Sequence, residues 1–176
     1  MRDSFETDLI DALPVLRRFA LSLTRSADEA DDLVQAACER ALASADSFTP
    51  GTRFDAWMFR IVRNLWIDRV RKKKTQASDP LDEAPEPVGD DGVAVAEGRL
   101  ELSDTADAIM KLPDEQREIL TLVCIEGLSY AEAASVAQIP VGTVMSRLAR
   151  ARKKIIDATN AEAASQRSRF EPSELP

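Results

Sequence analysis

The chain has 176 residues, 44% hydrophobic and only 5% aromatic, and a formal charge of −8. That length suits one ordinary domain or two small ones, and the composition supplies enough apolar surface for packed cores, which excludes a globally disordered chain. Histidine is absent and the two cysteines, Cys38 and Cys124, stand alone, so the commonest general base and the usual zinc ligands are missing, and neither an enzyme nor a metal or other cofactor is expected.

No apolar run reaches the roughly 18 residues a membrane span needs, and the opening "MRDSFETDLIDALPVL" has no signal-peptide layout. The expectation is a cytoplasmic protein without membrane insertion. Both cysteines lie in apolar helical patterns and read as buried, unbridged residues.

Few aromatics and many Ala and Leu favour helices. Pro14 suits a first helical turn, followed by the apolar positions Leu16, Phe19, Ala20 and Leu23. Ser26 and Glu29 have the spacing of a capping box, and Ala30, Leu33, Val34, Ala37, Cys38, Ala41 and Leu42 then recur at steps of three and four along one helix face. The opposite face carries Asp28, Asp31, Asp32, Gln35 and Glu39, for which solvation is the simplest account. The short connection between these helices predicts antiparallel packing.

After the turn-rich "SFTPGTRF" comes "DAWMFRIVRNLWIDRVRKKK", with seven basic residues against one acid, Asp68, between Arg60 and Lys74. Two tryptophans and a phenylalanine sit among those cations. Basic side chains neutralise phosphates, and aromatic faces stack on unpaired bases for about 1–3 kcal/mol each. The alternative is that Trp57, Phe59 and Trp66 are core under a solvated basic face, and spacing does not separate the two. Residues 75–100 are acidic and rich in Pro and Gly, with Arg99 the only base, and read as a flexible linker.

From 101 to 157 the helical pattern returns as three helices. Pro113 opens the first, with Asp114 and Glu115 in its first turn and Gly127 after it; Ser129 and Glu132 form a second capping box before a short helix; "QIPVG" turns the chain into the third. A short helix, a tight turn and a longer basic helix make a helix-turn-helix. On the third helix Val144, Leu148, Ala151 and Ile155 form a buried stripe, leaving Thr143, Ser146, Arg147 and Arg150 on an exposed flank. Such a helix fits the DNA major groove, and Gly142 with the amides around Thr143 can approach a phosphate at its start. The tail from Ala158 loses its apolar period and is expected to fray.

These two basic modules, separated by an acidic linker, resemble the extracytoplasmic-function (group IV) sigma factors of bacterial RNA polymerase. "LPDEQREILTLVCIEGLSYAEAASVAQIPVGTVMSRLARARKKI" is similar to their promoter-binding C-terminal domain. "DEADDLVQAACERALASADSF" and "FDAWMFRIVRNLWIDRVRKKK" are similar to the polymerase-binding and melting segments of their N-terminal domain. The resemblance implies an all-α protein of two small domains: residues 1–74 bind core polymerase and the −10 element, 75–100 are the linker, 101–157 read the −35 element, and 158–176 are a tail.

It further implies that Asp32 and Gln35 hold the β′ clamp coiled coil, in place of the solvation reading, and that the β flap is a second polymerase contact. Trp57 and Asn64 match positions at the −10 element, Asn64 reading an extruded base, and Arg60, Arg63, Arg69, Arg71, Lys72, Lys73 and Lys74 would follow the DNA backbone there. Ser146, Ala149 and Arg150 match base-facing positions at −35, and Thr143, Arg147 and Arg152 match phosphate contacts. Ala36 stands where many relatives carry Glu, and Met145 and Ala149 where some carry larger or basic groups. An anti-sigma factor is the implied regulator, and the free protein is expected to be a monomer whose acidic linker and acidic helix compete with DNA. A dimeric helix-turn-helix repressor is the competing reading, but no dimerisation heptad accompanies the motif.

Overall fold

The structure, a computed structural model, describes residues 2–76 and 100–169, with side chains described over 5–75 and 105–161. Helix α1 spans Arg2–Thr24, α2 Ala27–Ala43, α3 Phe54–Gln76, α4 Leu100–Met110, α5 Asp114–Leu120, α6 Tyr130–Ala137 and α7 Val141–Arg169. Among the described residues all regular structure is helical, as the composition predicts. Of the expected linker, 75–100, residues 77–99 lie outside them, whereas Thr75 and Gln76 end α3 and Leu100 opens α4.

Helix α1 starts well before Pro14, which sits inside it and not in its first turn. An interior proline removes a hydrogen bond and costs about 3 kcal/mol. The apolar stripe continues on both sides of it, with Leu9 and Ala12 before and Leu16, Phe19, Ala20 and Leu23 after, all buried, and this burial keeps the helix whole. The chain reverses at Arg25, whose φ of 60° is left-handed, and Ser26 caps α2 by accepting the Glu29 amide. Only this half of the predicted capping box forms, because the Glu29 carboxylate accepts from Lys73 Nζ at 2.8 Å instead.

Ala30, Leu33, Val34, Ala37 and Ala41 are buried as the period requires, whereas Leu42 stays 54% exposed and Cys38 is half-buried. A turn of 3-10 helix at Ala45–Ser47 and a left-handed Gly51 (φ 89°) lead into α3, which closes a three-helix unit through Met58, Phe59 and Val62.

The second half holds four helices where three are expected. The additional one, α4, is short and acidic, and among its described side chains only Ala108 and Ile109 meet the core, too little to give a clear period. Helix α5 runs on through a widened π turn at Thr121–Ile125, closed by the Glu126 amide on the Thr121 carbonyl, before Gly127 (φ 68°) breaks it. That turn leaves Cys124 exposed, contrary to expectation.

The second capping box is complete. Ser129 Oγ accepts the Glu132 amide at 3.2 Å and Glu132 accepts the Ser129 amide at 2.7 Å. The tight turn to α7 is made by Gln138, left-handed at φ 53°. Val144, Leu148 and Ala151 are buried and Ile155 packs beside them, as predicted. Helix α7 does not end at Asp157 but continues to Arg169, since Ala158, Ala161, Ala163 and Ala164 sustain helix without an apolar face.

The two halves share one continuous core, with α5 seated on α1 and α6 on α3. Arg117 of α5 is wholly buried at this junction. It donates to the Ser22 carbonyl of α1, to the Leu112 carbonyl at 2.8 Å and to Asp114 at 2.8 Å. Around it, Arg18 clasps Glu126 through two bonds of 2.7 Å, and Arg53 donates to the Gly127 carbonyl at 3.0 Å.

Candidate nucleic-acid interface

Helix α3 distributes its cations by helical pitch. Trp57, Arg60, Ile61 and Asn64 fall on one face at steps of three and four, and with Ser47, Thr49 and Thr52 of the preceding turn they line a pocket of about 410 Å³. Arg60 and Asn64 are exposed, and Trp57 is half-buried. The indole leans on Phe5, Phe48 and Phe54, with ring centroids 5.5–6.0 Å away, so it is held by the core while its other side borders the pocket. Phe59, by contrast, is entirely core, edge-on to Phe19 at 5.0 Å.

The hydroxyls of Ser47, Thr49 and Thr52 are absent from the sequence reading. The turn-rich "SFTPGTRF" signals a loop there, but only the fold brings it over α3. Ser47 and Thr52 each donate to a carbonyl three residues back at 2.7 Å, which stiffens the turn.

Arg69 and Lys73 leave the pocket face. Arg69 donates to the Asp32 carbonyl at 3.1 Å and Lys73 pairs with Glu29, both on α2. Arg71, Lys72 and Lys74 are exposed near the C-terminus of α3, where cations also suit the helix dipole. Arg63 points a third way, into the junction, where it donates to the buried Glu118 of α5. The predicted line of backbone-contacting cations is therefore split: Arg63 is 12% exposed in this arrangement and tied to a carboxylate.

On α7, Arg150, Arg152 and Ala149 are exposed, and Thr143 and Ser146 are half-buried. Arg152 also reaches Cys124 Sγ at 3.6 Å. The expected exposed flank fails at Arg147, whose side chain is 17% exposed and pairs with Glu115 at 2.8 Å. The Thr143 amide donates to the Pro140 carbonyl at 2.9 Å and is not available to a phosphate, because the first turn of α7 closes on it.

On α2, Asp32 and Gln35 share the exposed face, Gln35 bonded to Glu39 at 3.2 Å. Their neighbour Asp31 is clasped by Arg17, whose guanidinium holds the carboxyl below its ordinary range. Burial pushes Glu118 above its ordinary value, against the pull of Arg63 and Arg147.

The half with the polar, aromatic-edged pocket and the half with the basic helix after a tight turn each match a region of the sigma-70 class of promoter-reading proteins. Residues 9–76 match the family described as Sigma-70 region 2, and residues 103–155 match Sigma-70, region 4.

The chain belongs to the extracytoplasmic-function (ECF) sigma factors of bacterial RNA polymerase, which direct transcription initiation and are not enzymes. It is 42% identical over 155 residues to the ECF RNA polymerase sigma factor EcfG of Rhodopseudomonas palustris strain TIE-1, covering 88% of this chain and 84% of that one. It is 40% identical over 141 residues to SigW of Bacillus subtilis, covering 72% and 73%. Among solved structures it resembles the sigma factor RpoE in complex with the anti-sigma factor NepR from Bartonella quintana, with TM-score 0.74, 34% identity, and 89% and 97% of the two chains covered. It also resembles CnrH in complex with the cytosolic domain of CnrY, with TM-score 0.64, 28% identity, and 92% and 90% covered. Among the described residues no helix is long and apolar enough to cross a membrane.

Proposed function

We propose that this sigma factor divides promoter reading between the two faces described. Asn64, Trp57 and Arg60, with the hydroxyls of Ser47, Thr49 and Thr52, receive a base extruded from the −10 strand. Arg71, Lys72 and Lys74 follow its backbone, joined by Arg69 and Lys73 once they leave α2 and by Arg63 once it leaves Glu118 of α5. Ser146, Ala149 and Arg150 face base edges of the −35 duplex, and Thr143, Arg147 and Arg152 hold its phosphates. Asp32 and Gln35 present the acidic face of α2 to the β′ clamp coiled coil, and the C-terminal half meets the β flap. Residues 1–74 and 101–157 act as the two functional units, joined by 75–100.

The observation that carries this reading is the pocket on α3. It joins a half-buried indole, a guanidinium, an amide and three hydroxyls on the face that α2 and α6 leave open, a lining suited to one unstacked base. Unstacking costs a few kcal/mol, which pocket contacts and polymerase binding offset.

The protein works in the cytoplasm as a monomer and is held inactive by an anti-sigma factor; solved relatives carrying NepR and CnrY support that regulation. Run-off transcription with purified core polymerase tests the whole. Initiation from specific promoters on adding the protein is expected. Absence of initiation would overturn the promoter-reading roles proposed for the two faces.

A further inference from the structure

Two arginines assigned above to different promoter elements are held by neighbouring carboxylates of α5. Arg63 of α3 donates to Glu118, and Arg147 of α7 pairs at 2.8 Å with Glu115, one turn before Glu118 on α5. Glu118 is 8% exposed and sits between the halves. A guanidinium closed on a carboxylate offers the same N–H fork that a phosphate needs.

We propose that Glu118, assisted by Glu115, is a built-in competitor for DNA. Glu118 occupies the −10 cation Arg63 while Glu115 occupies the −35 cation Arg147, and the Arg63–Glu118 pair holds the halves in an arrangement that cannot engage a promoter. The inference rests on the DNA roles proposed for those two arginines.

The physics suits a lock that can open. A carboxylate taken out of water loses solvation that its partners only about repay, so a buried pair of this kind lies near balance. When phosphates take Arg63 and Arg147, Glu118 is left buried without a counter-charge. Moving into water then relieves it, which drives α5 away from α3. The acidic competitor is thus placed on α5, within the C-terminal half that carries α7. Junction contacts that involve no DNA-reading residue, such as Arg18–Glu126, give the closed form its remaining stability.

The test uses the full chain with Cys38→Ser and Cys124→Ser, labelled at Glu39→Cys on α2 and Asp157→Cys on α7 for distance measurement. Unlabelled protein is titrated at low salt with a fluorescein-labelled mixed-sequence duplex, since phosphate competition needs no particular sequence. Glu118→Gln should lengthen the label distance and tighten duplex binding roughly tenfold, as expected when a form populated at about one part in ten becomes dominant. Asp157→Asn removes one charge from α7 and should change affinity less than twofold. Equal gains in the two variants with an unchanged distance overturn the proposal.

Should Glu118→Gln not fold, Arg18→Cys and Glu126→Cys joined by a short bismaleimide hold the junction shut. The bridged protein should lose duplex binding that the singly modified proteins keep, and retained binding overturns the lock. If Arg63→Ala and Arg147→Ala leave duplex affinity unchanged in the Glu118→Gln background while the distance still lengthens, the assigned DNA roles fail and the interdomain contact stands.

Discussion

The guanidinium of Arg117 is wholly buried and donates to the main-chain carbonyl of Ser22, 95 residues earlier in the chain. This bond ties the last turn of α1 to α5 of the C-terminal half. Burial lowers the arginine's affinity for its proton, and Asp114 partly offsets that. Arg117→Ala strips a donor from the Ser22 and Leu112 carbonyls inside the core and should destabilise the chain by about 2–4 kcal/mol. Arg117→Lys should recover only part, because an ammonium lacks the planar fork. Urea unfolding checks both, and a loss under 1 kcal/mol for the alanine variant would mean that the carbonyls find water.

At the α3 pocket, Asn64→Ala should reduce open-complex formation about tenfold while leaving closed-complex binding nearly unchanged, because an extruded base exists only after melting. Permanganate reactivity of −10 thymines against gel-shift affinity separates the two steps. Equal losses in both would place Asn64 outside the melting step.

On α7, Arg150→Ala should remove the preference at one −35 position, worth about 1–3 kcal/mol, and Arg152→Ala should weaken all sequences alike and lower the salt slope by about one. Binding to a library of −35 variants at two salt concentrations distinguishes them. A uniform loss with Arg150→Ala would make it a phosphate contact.

Two carboxylates should give opposite pH signatures. Glu132 is held below the ordinary range, chiefly by the Ser129 side chain, with help from the Ser129 main chain and Arg53, against Asp55. Its stabilising contribution is therefore present above the ordinary carboxylate value and lost as pH falls through the folded value. Glu118 is raised by burial, against Arg63 and Arg147 and with Glu115 adding to the rise, so its contribution is present at low pH and lost as pH rises through the folded value. In urea melts across pH, Glu132→Gln should lessen the acid loss of stability, and Glu118→Gln should lessen the loss on the rising side. The same sign for both would contradict the burial of Glu118.

Much of the fold was legible because local patterns agreed with the global one. The stripes of α2 and α7 and the Ser129 cap each depend on residues within a few turns of one another. Pro14 misled for the same reason: its local preference for a helix start was overridden by a stripe extending on both sides of it. On α3, the sequence left Trp57 and Phe59 equally open to core or surface, since two residues along a helix point to different faces. Packing against Phe19 decided one, and the aromatic group around Trp57 the other.

The residues alone determined an all-helical chain with two separate basic modules, because periodicity and charge density act over short spans, and the resemblance they carry implied DNA reading for each. Only the tertiary structure decided where those charges go. Arg63, Arg69, Lys73 and Arg147 read identically in sequence to their exposed neighbours, yet each is turned onto an oxygen of another helix. A side chain's partner is set by which elements meet in space, and no spacing along one helix carries that information.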